Sequence, residues 1–250
     1  MTQQHNYNWA HLTYDEAAYA LAAGAVAILP LGSIEPHGPH LPLNTDIIIA
    51  EGMARRAAEQ LHTQNIPAYI LPTIPFTVTD YAKGFSGAVS IDFGKVEEYY
   101  TGVFDALVKM PFRRIAIANA HLEPEHLRAI HTAMEKFGDA IVFPDITRKP
   151  WALQLTDEFK SGMCHAGQFE TSLVMADAPE LVREDVRTAL SDVPISLSKE
   201  IRSGKSSFAE MGNTQAYFGF PRNATAEEGQ KTFEILAGMI VDEVMRKLRQ

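Results

Sequence analysis

The sequence predicts an α/β fold in which helices cover a mostly parallel β-sheet. Short apolar runs, typical of buried strands, alternate with longer amphipathic segments. Polar side chains gather just after two of these runs, where parallel sheets place their ligands. The chain has 250 residues, of which 46% are hydrophobic, enough to bury the core of one α/β domain. We therefore expect a single domain over residues 1–250.

The first half of the chain alternates helix and strand patterns. Thr13 and Glu16 form a capping-box pattern before the first helix, and Asp46 gives a later helix an acidic start. Apolar runs bounded by Gly and Pro predict buried strands. The predicted elements are helix 14–24, strand 25–32, helix 46–62, strand 67–75, helix 92–110 and strand 113–121.

The second half continues the alternation and ends in a long helix capped by Thr225 and Glu228. The elements predicted before it are helix 124–138, strand 140–146, a helix near 151–159 and another that begins close to Phe169. His126 and His131 are interpreted as surface positions. The last helix carries an apolar stripe, predicted to be core or subunit interface: Phe233, Leu236, Ile240, Val244 and Leu248. Segment 191–220 is the least regular and is predicted to be a mobile loop, a candidate lid.

Charge and cysteine content exclude several classes of protein. The net charge is −9, from 22 Lys+Arg and 31 Asp+Glu, and no dense basic cluster is present. A footprint for nucleic acid or anionic membrane is therefore missing, and a small-molecule partner is expected. One cysteine excludes an internal disulfide framework and fits a reducing compartment. The N-terminus lacks a signal-peptide pattern and no segment has bilayer-spanning length, so we expect a cytoplasmic protein.

Two polar pairs follow predicted strands and indicate a metal site. Glu35 and His37 follow the first strand, with Asp46 at the next helix start, and His121 and Glu123 follow the strand at 113–121. Two imidazoles and three carboxylates suit zinc or manganese, with iron(II) as an alternative. One carboxylate can bridge two ions, which would leave a charge of about +1, lower the pKa of a bridging water and hold it as hydroxide.

Each pair also has a purely structural interpretation. Glu-x-His is a weak motif on its own, and His-x-Glu at a helix start is commonly a polar cap. Asp46 alone is explained as an N-cap. The coincidence of two mirrored pairs at predicted strand ends favours the metal interpretation.

Three segments resemble the creatininase (creatinine amidohydrolase) family. "LPLGSIEPHGPHLPLNTD" at 29–46 resembles its signature loop, "NAHLE" at 119–123 resembles its Asn-Gly-His-x-Glu segment, and "HAGQFETSLVMADAPELV" at 165–182 resembles its third conserved block. The resemblance implies a three-layer α/β/α fold, a homohexamer, and hydrolysis of carbon–nitrogen bonds in cyclic amides and related compounds.

The resemblance also implies roles for the polar pairs. Glu35, Asp46 and His121 would hold one divalent ion. His37, Asp46 and Glu123 would hold the other, so that Asp46 bridges two ions per chain. Glu123 is counted as a catalytic residue as well as a ligand.

His165 matches the family's general acid/base, which would protonate the leaving nitrogen while metal-activated hydroxide attacks the carbonyl. A core histidine bonded to backbone is the alternative. Glu170 could orient a ligand or His165. Cys164 is interpreted as a small buried side chain, because neighbours on an extended segment point to opposite faces and would not pair.

The chain departs from the family pattern around the expected substrate. The family has tryptophan where this chain has Ser161, tyrosine at Leu122 and glutamate at Cys164, and its Phe-Pro-Gly-Thr segment is "FSGAVS" at 85–90. These departures leave the metal ligands intact and change the pocket, so creatinine is not the expected substrate.

Three functions remain open on the sequence. The leading hypothesis is a dinuclear-metal hydrolase acting on a cyclic amide, formamide, lactam or related small molecule. The second is hydrolytic ring opening of a cyclic polyol ketone or lactone, since the same chemistry serves both. The third is a non-catalytic protein that binds metal and ligand, which the candidate acid/base His165 argues against.

Overall fold

The computed structural model describes residues 7–249, and its central sheet is parallel throughout. The strands are β1 (Val26–Leu31), β2 (Ala68–Ile70), β3 (Arg114–Asn119) and β4 (Ile141–Val142), in the order β2-β1-β3-β4. β1 and β3 pair along six residues, from Val26 opposite Arg114 to Leu31 opposite Asn119. The sheet therefore has its longest ladder at its centre.

Helices follow the predicted alternation. They are α1 (Tyr14–Ala22), α2 (Thr45–Thr63), α3 (Phe93–Val108), α4 (Pro124–Met134), α5 (Asp157–Ser161), α6 (Gln168–Asp177), α7 (Glu184–Ala189), α8 (Leu197–Arg202) and α9 (Ala226–Leu248). Thr13 and Glu16 make the predicted capping box. Within the described residues no helix has the length and apolar character needed to span a bilayer.

The sheet is covered by helices on both faces. Successive residues of β1 point to opposite sides, so Val26 and Ile28 join a core formed with α2, α6 and α9, whereas Ala27 and Leu29 join a core formed with α3 and α4. This arrangement confirms the predicted three-layer α/β/α fold.

The apolar stripe of α9 belongs to the core. Four of its members are fully buried, Phe233, Leu236, Ile240 and Val244, and Leu248 packs against them. Thr225 caps the helix, since its hydroxyl accepts a hydrogen bond from the Glu228 amide at 3.1 Å. The core alternative is thus correct, and this stripe is not a subunit interface.

Several local expectations are corrected. The predicted strand 67–75 is regular only over β2, and the predicted helix 151–159 is a short 3-10 turn, Trp151–Gln154, followed by α5. His126, predicted at the surface, is fully buried, whereas His131 is partly exposed. Segment 191–220 contains α8 rather than only irregular chain.

Candidate metal centre

The predicted site residues meet at the centre of the sheet. From β1 the chain moves outward to β2 and then crosses to β3 on the other side, so the loops that leave β1 and β3 diverge at a topological switch point. Such points open a ligand crevice at the carboxyl ends of the strands. Glu35 and His37 lie in the first loop, and His121 in the second.

Close packing behind the first loop fixes the position of Asp46 at the start of α2. A Cβ added to Gly32 would come within 2.8 Å of the Ile47 amide nitrogen, so only glycine lets the loop approach the start of α2 this closely. Ser33 then donates a hydrogen bond to Asp46 Oδ2 at 2.9 Å. Asp46 is buried at 1% exposure and presents both oxygens to the crevice.

The first ligand group contains Glu35, Asp46 and His121, whose ligand atoms lie within 4.8 Å of one another. His121 Nδ1 is 3.2 Å from Glu35 Oε1 and 3.0 Å from Asp46 Oδ2. Its Nε2 lies 2.9 Å from the carbonyl oxygen of Val78. A carbonyl only accepts, so Nε2 donates to it, and Nδ1 is the nitrogen that faces the carboxylates and could bind a metal ion.

The second group contains His37, Asp46 and Glu170. His37 Nδ1 donates to the carbonyl of Glu35 at 3.1 Å, which leaves Nε2 as the lone-pair atom. That Nε2 is buried without a hydrogen-bond partner in residues 7–249, and it lies 3.2 Å from Asp46 Oδ1 and 3.6 Å from Glu170 Oε2. A buried imidazole nitrogen that faces two carboxylates without a hydrogen-bond partner fits a metal ligand set.

The charges of the cluster favour a cation. Burial lowers the pKa of His37, but the facing carboxylates, led by Asp46, outweigh it and raise that pKa to about 10. Burial raises the pKa of Glu35, but His121 outweighs it and brings that pKa to about 2. Burial raises the pKa of the Glu170 carboxyl to about 8. The cluster thus stabilises positive charge between its carboxylates, as protons or as metal ions.

Glu123 is not brought into either ligand group. Its carboxylate accepts hydrogen bonds from the backbone amides of Asp80 at 2.9 Å and Tyr81 at 3.3 Å, and its Oε2 lies 4.0 Å from His121 Nε2. It still lines the pocket above the ligands. The third member of the second group is Glu170, which was expected from the sequence to orient a ligand.

His165 lies beside the two ligand groups. Its Nε2 donates to the carbonyl of Pro36 at 3.0 Å, and its Nδ1 is 3.9 Å from Glu35 Oε1. It also forms a third possible ligand group with Glu35 and His37. Burial and the charge of His37 lower the pKa of His165 to about 4, so the ring is neutral near pH 7. The hydrogen bond to a backbone carbonyl, which a core histidine would make, is present. The other nitrogen, Nδ1, nevertheless faces the cluster.

A pocket of about 420 Å³ opens above the ligands. Besides the charged residues it is lined by Tyr81, Leu122, Cys164, Leu197, Ile201 and Phe208. Cys164 is therefore only half-buried, in contrast to the prediction, and it lines the same pocket as His165. Burial and the charge of Glu170 raise the pKa of its thiol, which keeps it protonated and poorly nucleophilic.

A buried network behind His121 was missed from the sequence. His126 Nε2 donates to Asn119 Oδ1 at 2.7 Å, and Asn119 Nδ2 donates to the carbonyl of His121 at 2.7 Å. Thr77 completes the chain at 2.6 Å from His126 Nδ1. Asn119 stands two residues before His121 at the end of β3. A polar amide at the end of a buried strand was the one feature of the sequence that could have indicated this network.

Comparisons with known proteins agree with this geometry. The family model described as Creatininase: Creatinine amidohydrolase matches residues 10–244. A relative from Mycobacterium ulcerans (strain Agy99), named Mycofactocin precursor peptide peptidase, is 30% identical over 229 residues, 89% of this chain and 84% of that one. Creatinine amidohydrolase from Pseudomonas putida is 28% identical over 194 residues, 70% of this chain and 73% of that one. A solved structure named Creatininase Mn shares the fold, with TM-score 0.76, 20% identity, and coverage of 98% of this chain and 100% of that one.

Proposed function

Because this chain belongs to the creatininase family, we propose that it cleaves an amide bond in a small molecule or short peptide with two divalent metal ions. The chain is a hydrolase that acts on carbon–nitrogen bonds. One observation carries the finer proposal: two ligand groups share Asp46, and each of the two imidazoles beside it donates to a backbone carbonyl and turns its other nitrogen toward the carboxylates. When bound there, two such ions would supply Lewis acidity and an activated water.

Each of the two ligand groups would hold one ion. Glu35, Asp46 and His121 would hold one ion, and His37, Asp46 and Glu170 the other. Imidazole and carboxylate ligands suit zinc and manganese, and a solved neighbour is named for manganese. Ser33 orients the bridging carboxylate, because it donates to Asp46 Oδ2.

His165 would move the proton. In amide hydrolysis the oxygen of water joins the carbonyl carbon, the C–N bond breaks, and the nitrogen gains a proton, giving an acid and an amine. The neutral ring of His165 can accept the proton of water at Nδ1 and return it to the leaving nitrogen, because Nε2 is fixed on the Pro36 carbonyl. Glu123, held at the pocket wall by backbone amides, is placed to contact the substrate.

Metal content tests the ligand assignment. We expect about two ions per chain in the wild type, near none in Asp46→Ala, and about one in Glu170→Gln. Glu123→Gln, a matched change at the neighbouring carboxylate, should keep two. Elemental analysis of folded protein checks each value. One ion in Glu123→Gln and two in Glu170→Gln would restore the ligand set that the sequence resemblance implies.

Turnover tests the reaction class. Metal-loaded protein should hydrolyse at least one member of a panel of formamides, lactams and N-acylated peptides, and chelation should abolish this activity. Creatinine should be a poor substrate. Turnover of lactones or cyclic polyol ketones alone would contradict amide cleavage, and metal binding without turnover of any compound would favour a non-catalytic role.

We also propose a single domain, a cytoplasmic location and a homo-oligomer. The lone cysteine suits a reducing compartment, and the hexamer is what the family resemblance implies.

A further inference from the structure

A second pocket shares a wall with the metal pocket. Four residues line both pockets: Leu122, Cys164, Leu197 and Ile201. The second pocket, here called the side pocket, has about 740 Å³ of empty space, against about 420 Å³ for the metal pocket, with the open mouths included. The two pockets therefore adjoin along these four residues, and a substrate that extends over them from the metal ligands would enter the side pocket.

The two pockets differ in charge. The metal pocket is lined by four carboxylates, whereas the side pocket is lined by two basic residues, Lys160 and Arg202, and by no acidic residue. The basic lining of the side pocket contrasts with the net charge of −9 of the whole chain. Lys160 pairs with Asp157 at 2.8 Å, but Arg202 forms no ion pair within residues 7–249. Arg202 is therefore the cation that remains available to an anionic ligand.

The remaining wall of the side pocket is largely apolar. Phe159 is buried there, and Ala152 lies beside it. Together with the shared leucines and isoleucine they form an apolar surface near a basic rim. Sites of this composition bind molecules that combine an apolar body with an anionic group.

We propose that the side pocket is a substrate subsite for an amide whose end remote from the scissile bond carries an apolar group and a carboxylate, as a short peptide does. The proposal rests on the proposed amide hydrolysis and adds the substrate class to it. Arg202 would bind the carboxylate through its guanidinium, and Ala152 and Phe159 would contact the apolar group. A compound small enough for the metal pocket alone would leave this subsite without contacts.

Binding of a matched pair of probes tests the carboxylate. The probes are N-acetyl-leucyl-leucine and its C-terminal carboxamide, titrated calorimetrically into metal-loaded His165→Ala protein, in which turnover is suppressed. The acid should bind about tenfold more tightly than the carboxamide, the size expected of one charge-assisted contact. Arg202→Gln in the same background should remove this preference. Lys199→Gln, an equal charge change on the same helix at an exposed residue outside the pocket lining, should retain it.

Filling the side pocket tests its occupancy. Ala152→Trp should weaken both probes by about tenfold, because the indole takes the space of the apolar group. Leu153→Trp, at the exposed neighbour that does not line the pocket, should bind both probes like the parent. Circular dichroism and metal content of each variant establish that it is folded and loaded.

The outcomes separate the subsite from the reaction. Equal binding of acid and carboxamide, or equal effects of Arg202→Gln and Lys199→Gln, would overturn the carboxylate assignment. Undiminished binding in a folded Ala152→Trp would overturn the subsite. Binding as expected, combined with no hydrolysis of any amide by the wild type, would reject the proposed reaction and leave the subsite standing.

Discussion

At the scale of single residues, orientation decides what His37 and His121 can do. One nitrogen of each ring donates a hydrogen bond to a backbone carbonyl, at 3.1 Å for His37 and 2.9 Å for His121. Because the donor nitrogen is fixed, the other nitrogen must face the carboxylates, where it can hold a proton or bind a metal ion. The motif letters alone predicted both histidines, but not which nitrogen each would present.

Replacing His165 separates proton transfer from metal binding. His165→Ala should keep both ions and the fold, yet lower kcat and kcat/KM alike by roughly two to four orders of magnitude, because the proton moves in the transition state. Cys164→Ala should change kcat little, since the thiol stays protonated. Steady-state kinetics with a compound that the substrate panel shows to be hydrolysed checks both predictions. Full activity in metal-loaded His165→Ala would exclude its proposed role, and loss of activity in folded, loaded Cys164→Ala would point to the thiol.

The proposed place of Glu170 in the second ligand group depends on contacts that residue patterns do not carry. Glu123 stands next to a ligand in the sequence, but the amides of Asp80 and Tyr81 bind its carboxylate. Glu170 lies far along the chain at the start of α6, and nothing in the local pattern tells that this helix begins beside His37. Only the fold brings these segments together.

At the scale of elements, the sequence predicted the helices and long strands well because their apolar periodicity is strong. The short strands β2 and β4 have only three and two residues, so their ends cannot be located from local composition. His126 shows a different failure. It shares a helical face with Ala129, Ile130 and Ala133, all of which are buried. The helical spacing therefore indicates a buried side chain, whereas the polarity of the ring suggested a surface position.

The buried network anchors α4 to the loop that carries His121. His126→Ala should leave Asn119 Oδ1 without its donor, loosen the His121 loop and weaken metal affinity by about 10- to 100-fold, the usual effect of losing support behind a ligand. Chelator competition at a temperature where the variant is folded measures this. His131→Ala, on the same helix but partly exposed and paired with Asp145, is the control and should bind metal like the wild type. Equal affinities in the two variants would mean that the network only stabilises the fold.

At the scale of the whole molecule, assembly is the least predictable feature. The α9 stripe that suggested an interface lies in the core. Large aromatic side chains are exposed elsewhere, and Phe76 (46%) and Tyr99 (54%) border the same surface cavity. Sequence periodicity reports which residues are buried, but it does not say whether the chain or a second copy buries them.

Light scattering tests assembly. At micromolar concentration the protein should have a mass several times its 27.7 kDa monomer, as the family resemblance implies. The double variant Phe76→Ser with Tyr99→Ser should reduce that mass if this surface is the interface. Tyr14→Ser, at a tyrosine that is 83% exposed, should not. A monomer in the wild type would rule out the oligomer.

The shared carboxylate of Asp46 would also make the proposed ions part of the folding equilibrium. The ligand groups take their donors from two loops and from the starts of α2 and α6, so a complete set exists only in the native chain. A ligand that binds only the native state adds RT ln(1 + [L]/Kd) to its stability, about 2.7 kcal/mol at a hundred times Kd. With the proposed ions bound, metal supply would set the stability of the fold as well as the rate of turnover. A chelator should then lower the unfolding midpoint of the metal-loaded protein as well as its activity.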